Sequence, residues 1–541
     1  MNSIKFILLS LLLICIKSNA QSFANGPELS NDRDSRLNRI LDGDDNCFYT
    51  YRIRSKAFGT SYYVEKFNKE ELKPVFSKEI NIEEDRFTTI EDVKYAAEKV
   101  YIFVSQFDKR EDKMSLNFRS ISTDGTVSVK PEEILNINTD RSEFVDFDIY
   151  QNPPRTKFLV KVSYKVSKET QYKTNFILYD AATMKQIFSK QVEQQLLSGP
   201  AMPIGLFHRE NLNNTDFIGL MIDDDDNIFY GYTFFDKPSR EKGSKFKVVM
   251  NILSANSIAP KTTELEFDDN YYVGRIKFTK PNSNQIVAGG FLKIVNDDTG
   301  KDVVKPGIFS FTVNIEQNKI ESKTVTVFDD KMAAALELNT KHSRSIKYKL
   351  DYIIPSGTSV YYVGEQYREQ QISSFDPLSR MSQTLWEYQY MDVIVAKLNN
   401  KGEFEWIKNT PLRISMTLTS PHLFKEYIAV ATSKSIYIFN NESEKNIERY
   451  SKPDFEPKDL RTITGIQGTN FVSTAVDLEN GTILHKLVFA NTDYCFAPIQ
   501  ERNSSYIPPA DVDIFVKGKY NEIFIDTENR GKERFCKITF E

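Results

Sequence analysis

The 541-residue chain is poor in the residues from which most catalytic and metal-binding motifs are made, with four histidines, four cysteines and two tryptophans. His208, His342, His422 and His485 lie far apart and show no ligand spacing of the H-E-x-x-H kind. Each is read as a surface or packing residue, and no metal is expected. There is no G-x-S-x-G nucleophile elbow, and no cysteine is paired by motif with a histidine, which removes the commonest routes to covalent catalysis. Basic charge is not in excess: the formal net charge is -5, and no Lys/Arg cluster is interleaved with aromatics. Nucleic acid is therefore not an expected partner. No Pro/Gly/Ser-rich linker divides the chain, so residues 46–541 are read as a single domain.

Long apolar runs are also missing, with one exception at the start. Lys5, the apolar stretch FILLSLLLICI (6–16) and Ser18-Asn19-Ala20 have the three parts of a secretory signal peptide, with cleavage after Ala20. The run is short for a bilayer span, and nothing later approaches the required length. The expected location is periplasmic or extracellular. Residues 21–45, polar and mixed in charge, read as a flexible leader.

Loss of that segment leaves Cys47, Cys495 and Cys536. In an exported protein an odd count permits at most one internal bridge. One cysteine lies near the start and two near the end, so a bridge from Cys47 to either of the others, or between Cys495 and Cys536, would suit a fold that joins its chain ends. Three unpaired buried thiols is the competing reading.

Aromatic residues are plentiful, with 39 Phe and 27 Tyr, and helical periodicity is scarce, which favours strands. The clearest unit is YMDVIVAKLNNKGEFEWIKNTPLR (390–413). A β-rich run ends at Asn399-Asn400-Lys401-Gly402, where Gly and Asn permit a tight turn. Phe404 and Trp406, two apart, then share one face of the returning strand. SVYYVGEQY (359–367) reads as the adjacent strand. Similar units occur at 117–129, 473–489, 175–190, 247–267, 310–327 and, most loosely, 62–80. The runs 47–54, 100–107, 157–166, 226–235, 284–294, 433–441 and 522–528 read as inner strands. Repetition at this spacing points to a radial array. The expected fold is an all-β β-propeller of seven or eight four-stranded antiparallel blades, its last blade completed by N-terminal strands with RFCKITFE (534–541). Two insertions interrupt the pattern. Residues 328–344 read as a short helix capped by Asp329 or Asp330, and residues 372–390 as a long loop carrying Trp386, Tyr388 and Tyr390.

Several segments resemble a group of uncharacterised exported proteins of Bacteroidota with propeller-like folds. NQIVAGGFLKIVNDDTG with GIFSFTVN, VYYVGEQYREQ with YQYMDVIVAKLNNKGEFEW, and SIYIFNNESEKN carry the likeness, over roughly residues 284–541. Asn441 stands where that group commonly has Asp. The resemblance implies the fold and export, and no activity. GEFEW also resembles the Gly-x-x-x-Trp hairpin of quinoprotein-type propellers. The equivalent of the Trp after Gly481 is His485, so no quinone or other cofactor is expected.

Among polar residues, Glu365 sits in an apolar-aromatic strand beside Gln366 and is a candidate for the channel. A rim position paired with Lys or Arg is the plainer assignment. Trp386, Tyr388 and Tyr390 are candidates for an aromatic platform under a sugar or peptide, against a simple anchoring role. Asp223–Asn227, Asp42–Asn46 and Asn296–Gly300 are read as turns. The composition favours a monomeric, non-enzymatic binding or scaffold protein for a glycan, peptide or envelope protein. The alternative is a glycan hydrolase or lyase with carboxylates converging from different blades. With 75 acidic residues, the sequence does not single out the pair.

Overall fold

The computed structural model describes residues 22–540 apart from 31–34, 57–58, 83–87, 140–142, 167–170, 196–215, 236–244, 268–270, 297–302, 336–345, 377–380, 419–423, 451, 453–458, 465–468, 489–494, 497–498, 501–514, 518–521 and 530–531. The expected signal peptide (1–20) and the turn at Asn296–Gly300, past its first residue, lie outside the described residues, as do the side chains of all four histidines.

The chain is almost wholly strand. Its described helices are Asp330–Ala335 and Glu444–Tyr450. The first starts where the sequence places it, and its cap is Asp329, whose Oδ1 accepts from the Met332 amide at 2.7 Å. The strands form two compact units: residues 1–81 with 494–497 and 513–541, and residues 82–493 with 498–512.

The larger unit contains six four-stranded antiparallel sheets that follow one another in chain order. Blade 1 is Thr88–Ala96, Lys99–Asp108, Lys113–Ser122 and Glu132–Asn138. Blade 2 is Glu143–Gln151, Lys157–Val166, Gln171–Asp180 and Gln186–Gln195. Blades 3 and 4 begin at Asp216–Ile222 and Tyr271–Asn282. Blade 5 is Ile346–Ser356, Ser359–Asp376, Met381–Leu398 and Phe404–Leu418. Blade 6 is Tyr427–Ala431, Ser435–Ser443, Thr469–Asp477 and Ile483–Val488. Each is an up-and-down meander, and from blade 1 to blade 5 the first strands of successive sheets lie beside one another. Sheets that meet along their first strands radiate from a common centre, which is the β-propeller arrangement.

The smaller unit holds one further four-stranded sheet, Ser35–Gly43, Cys47–Lys56, Gly59–Asn68 and Pro74–Ile80. Its other sheet is six-stranded and joins the two ends of the chain. Ser22–Asn25 pairs with Lys532–Thr539 so that Ser22 lies opposite Thr539 and Asn25 opposite Cys536. Among the described residues seven sheets thus have four strands, the six-stranded sheet makes an eighth, and Phe424–Lys425 with Ile499–Gln500 forms a separate two-stranded ladder.

Most of the repeated hairpins seen in the sequence are the third and fourth strands of these sheets. The unit at 117–129 is the exception. After the turn at Gly125 only Val127 bridges back, to Ile121, and Glu132–Asn138 supplies the fourth strand. The runs read as inner strands are mainly second strands, flanked on both sides within their sheet. Phe103, Phe158, Phe229 and Phe291 accordingly pack against neighbouring sheets and are fully buried. Each aromatic ring so enclosed removes about 150–250 Å² from water, or roughly 4–6 kcal/mol at 25 cal/mol per Å² before entropy is counted.

Two expectations are corrected here. Ser22–Asn25, Leu29–Ser30 and Ser35–Gly43 are strands, with Ile40 and Leu41 buried, in place of the expected flexible leader. Residues 372–376 and 381–390 are strand in place of the expected long loop. They extend the second and third strands of blade 5 to 18 residues each, paired as far as Asp376 opposite Met381. The alternation of polar and apolar residues in SQTLWEYQY already has the two-residue period of a strand.

Blades 5 and 6 lock through their turns. Trp406 follows the Gly402 turn, and its Nε1 donates to the Glu479 carbonyl at 3.2 Å. Its ring lies over Gly481, where a Cβ would stand 2.8 Å from Cδ2 and where φ is +70°. Tyr361 donates to the Leu478 carbonyl at 2.9 Å in the same junction. Asp223–Asn227 is a turn, as expected: Asp223 Oδ1 accepts from the amides of Asp225 and Asn227, and Lys280 pairs with Asp223 at 2.6 Å. Asp44 likewise closes 42–46 by accepting from Asn46 and Cys47 at 2.8 Å each.

Candidate functional site

The ligand-binding candidates of the sequence all fall in blade 5, where Glu365, Tyr388 and Tyr390 are buried and Trp386 is partly buried. Glu365, on the second strand, is enclosed and lies opposite Lys349 of the first. Lys349 Nζ stands 2.6 Å from Glu365 Oε1 and 3.6 Å from Asp351 Oδ1. It is an internal ion pair, neither at a rim nor open to a channel. Trp386, Tyr388 and Tyr390 share one face of the third strand, which packs into the core beside Leu412, Ile414 and Tyr427. Tyr388 and Tyr390 are 3% and 1% exposed, so their faces are not free to stack on a ligand. They anchor the strand.

The cysteines form no clasp. Cys47 and Cys536 are free and buried. Cys536 Sγ is 3.3 Å from Thr527 Oγ1 and 3.2 Å from Asn25 Oδ1. Burial pushes its thiol up to about 12, so it is a packed thiol and not a reactive one. The side chain of Cys495 lies outside the described residues.

A different set of residues gathers on the first strands of blades 1 and 2, where the sheets meet. On Glu143–Gln151 the alternation is strict. Val145, Phe147 and Ile149 enter the core, which turns Asp146, Asp148 and Tyr150 to the opposite face. On Thr88–Ala96 the register shifts between Ile90 and Asp92, and a bulge of this kind re-aims the extra residue, Glu91. Four carboxyl groups come within electrostatic reach of one another: Glu91, Asp92, Asp146 and Asp148.

Two lysines answer them, and both are committed. Lys161 Nζ lies 2.9 Å from Asp148 Oδ2, with both groups buried, and Lys94 Nζ lies 3.1 Å from Asp92 Oδ2. Glu91 Oε1 accepts from the Ser105 hydroxyl. Burial, reinforced by Asp146, Asp148 and Asp92 against that one hydrogen bond, pushes the Glu91 carboxyl up to about 7. Burial and the neighbouring Asp148 push Asp146 up to about 6, with Lys161 opposing. The Tyr150 hydroxyl, enclosed on the same face, has no hydrogen-bond partner. Burial and the charges of Asp148, Asp146 and Asp92 raise its pKa.

Chemically this surface offers two carboxyl groups that hold or release a proton near neutrality, beside two carboxylates fixed by lysine. Among the described residues no three His, Cys, Asp or Glu side chains are placed to hold a metal ion, and no helix is long and apolar enough to cross a membrane. Sequence reasoning missed the cluster. Its one legible trace is EFVDFDIY (143–150), in which acids alternate with residues destined for the core.

No known protein family matches the sequence, and no curated protein does. Solved β-propellers are similar in fold. The β-propeller domain of the Trilobed protease from Pyrococcus furiosus is 10% identical, with a TM-score of 0.34, covering 84% of this chain and 98% of that one. The polysaccharide lyase Uly1 is 10% identical at a TM-score of 0.40, covering 83% and 92%. The α-L-arabinanase of Penicillium chrysogenum, complexed with arabinobiose, is 11% identical at 0.28, covering 57% and 99%. These likenesses concern the fold, and neither activity nor ligand follows from them.

Proposed function

We propose that this chain is an exported, non-enzymatic binding protein that holds a cationic group, an amine or guanidinium borne by a peptide or an amino sugar, against the first strands of blades 1 and 2. The observation that carries the reading is the charge balance there. Four carboxyls face two lysines, each lysine is paired with one aspartate, and burial with the neighbouring acids pushes Glu91 up to about 7 and Asp146 up to about 6. A cation arriving at the surface would lower both pKa values, so binding would expel protons.

Calorimetry with arginine-rich and lysine-rich peptides and with glucosamine oligomers, against neutral oligosaccharides, tests this. Heats should vary with the ionisation enthalpy of the buffer, and Glu91→Gln with Asp146→Asn should abolish binding of the cationic ligands. Equal binding by the double variant would overturn the proposal.

One observation favours a second reading, a glycan hydrolase or lyase. Glu91 and Asp146, on different blades, are pushed up to about 7 and about 6 beside carboxylates paired with lysines, as an acid/base pair requires. Product analysis on a panel of glycans decides between the two. Turnover lost in Glu91→Gln would replace the binding reading.

A further inference from the structure

Glu426 occupies a junction between two pairings. Immediately before it, Phe424–Lys425 forms a two-residue ladder with Ile499–Gln500. Immediately after it, Tyr427–Ala431 opens blade 6. Its side chain is 1% exposed, and Oε1 has no hydrogen-bond partner. The groups that bear on this enclosure are Lys349 and Asp351 from the first strand of blade 5, Glu365 from its second strand, and Tyr427 and Tyr352. Lys349 is the cation that acts on Glu426, and it already serves Glu365 and Asp351. Tyr427 spends its hydroxyl on Asp351 at 2.7 Å.

We propose that Glu426 is a proton-operated latch: neutral, it seats the ladder of Phe424–Lys425 with Ile499–Gln500 beside blade 6, and ionised, it lets that ladder go. An ionised Glu426 would be a third negative charge around one ammonium group, with no hydrogen-bond donor to Oε1 among the described residues. Its nearest escape is outward, and the backbone that must move is the two-residue ladder attached to it. Two residue pairs are a small barrier beside the nine-pair ladder that joins Ser435–Ser443 to Thr469–Asp477. The proton goes to solvent. Burial pushes the carboxyl up to about 8 against the pull of Lys349, so the latch weakens as pH rises from the ordinary glutamate range towards that value.

The test is amide hydrogen exchange of the intact protein between about pH 6 and about pH 10, corrected for intrinsic rates. Protection at Phe424–Glu426 and Ile499–Gln500 should fall about tenfold per pH unit up to the closed-state value of about 8 and level off above it, the signature of one proton lost on opening. Protection at Thr469–Asp477 should hold. In Glu426→Gln the ladder should stay protected throughout, and Glu426→Met serves as a second neutral variant if the first does not fold. Protection independent of pH in the wild type, or the same loss in the neutral variants, would overturn the latch.

Discussion

Arg52 and Glu533, 481 residues apart in the chain, form a buried double hydrogen bond in the smaller unit. Each side chain is 3% exposed. The guanidinium also meets Glu65, its Nε lying 3.0 Å from Oε2. Burial works against the charged guanidinium here, yet hydrogen bonds and charge from Glu533 and Glu65 raise the Arg52 pKa overall. The pair joins a strand near the start of the chain to one near its end. It therefore closes the smaller unit by chemistry as well as by the strand pairing of Ser22–Asn25.

Removing one partner strands a buried charge, which costs about 3–5 kcal/mol. Glu533→Ala should destabilise the smaller unit by roughly that amount, moderated by Glu65, while Arg52→Met with Glu533→Leu should recover much of the loss. Denaturant titration followed by hydrogen exchange at Lys532–Thr539 measures it, because two compact units need not unfold as one. A loss in the double variant equal to that in Glu533→Ala would show that the pair does not hold the closure.

At the junction of blades 5 and 6, the Trp406 ring and Gly481 occupy space that a side chain at 481 would need. Gly481→Val combines that clash with a positive φ unsuited to a β-branched residue and should cost about 2–4 kcal/mol. Trp406→Phe keeps most of the ring but gives up the bond to Glu479, a loss of about 1 kcal/mol. Thermal unfolding should rank the two variants in that order. If Trp406→Phe is the worse, the hydrogen bond outweighs the packing.

Much of this architecture is legible in the residues. Turn residues, with Gly402 and Gly481 the clearest, and alternating aromatic strands mark the outer hairpin of most sheets, because turn chemistry and two-residue periodicity are local properties. The pairing of residues 22–25 with the C-terminal strand is not local. A polar stretch such as QSFANGPELS becomes a strand because an edge at the far end of the chain awaits it. The site was hidden for the same reason. Glu365 stood out as an acid among apolar neighbours, but an isolated buried acid in a strand more often has a partner on the next strand, and here Lys349 lies directly opposite it. Glu91, Asp92, Asp146 and Asp148 are ordinary acids in sequence. Their significance comes from two first strands meeting, and no window of the chain contains both.

The Glu91 carboxyl gives a pH dependence with a definite sign. Unfolded, it titrates near the ordinary glutamate value of about 4.3; folded, burial and its acidic neighbours hold it up to about 7. Below the unfolded value both states are protonated and the group is neutral in effect. Between the two values the folded state binds more protons than the unfolded one, so stability falls as pH rises, by about 3–4 kcal/mol in total. Glu91→Gln should flatten that fall. Urea midpoints from about pH 4 to about pH 8 check it, and an unchanged slope in the variant would place Glu91 in water rather than against its neighbours.

The enclosed group around Lys349 tests whether one ammonium holds several acids together. Lys349 is 3% exposed and faces Glu365 and Asp351, with Glu426 within electrostatic range. In Lys349→Met the carboxyls lose their cation, and each must either take up a proton or remain an uncompensated buried charge. The expected cost is about 3–5 kcal/mol at neutral pH. That cost should shrink as pH falls, because protonation relieves the carboxyls, whereas the loss of simple packing would not depend on pH. Lys349→Met with Glu365→Leu replaces the pair by apolar groups and should regain stability, by a coupling of roughly 1–3 kcal/mol. A double-variant cycle measured at about pH 5 and about pH 8 separates the outcomes. A pH-independent loss, with no coupling between positions 349 and 365, would mean that the lysine acts through its alkyl stem alone.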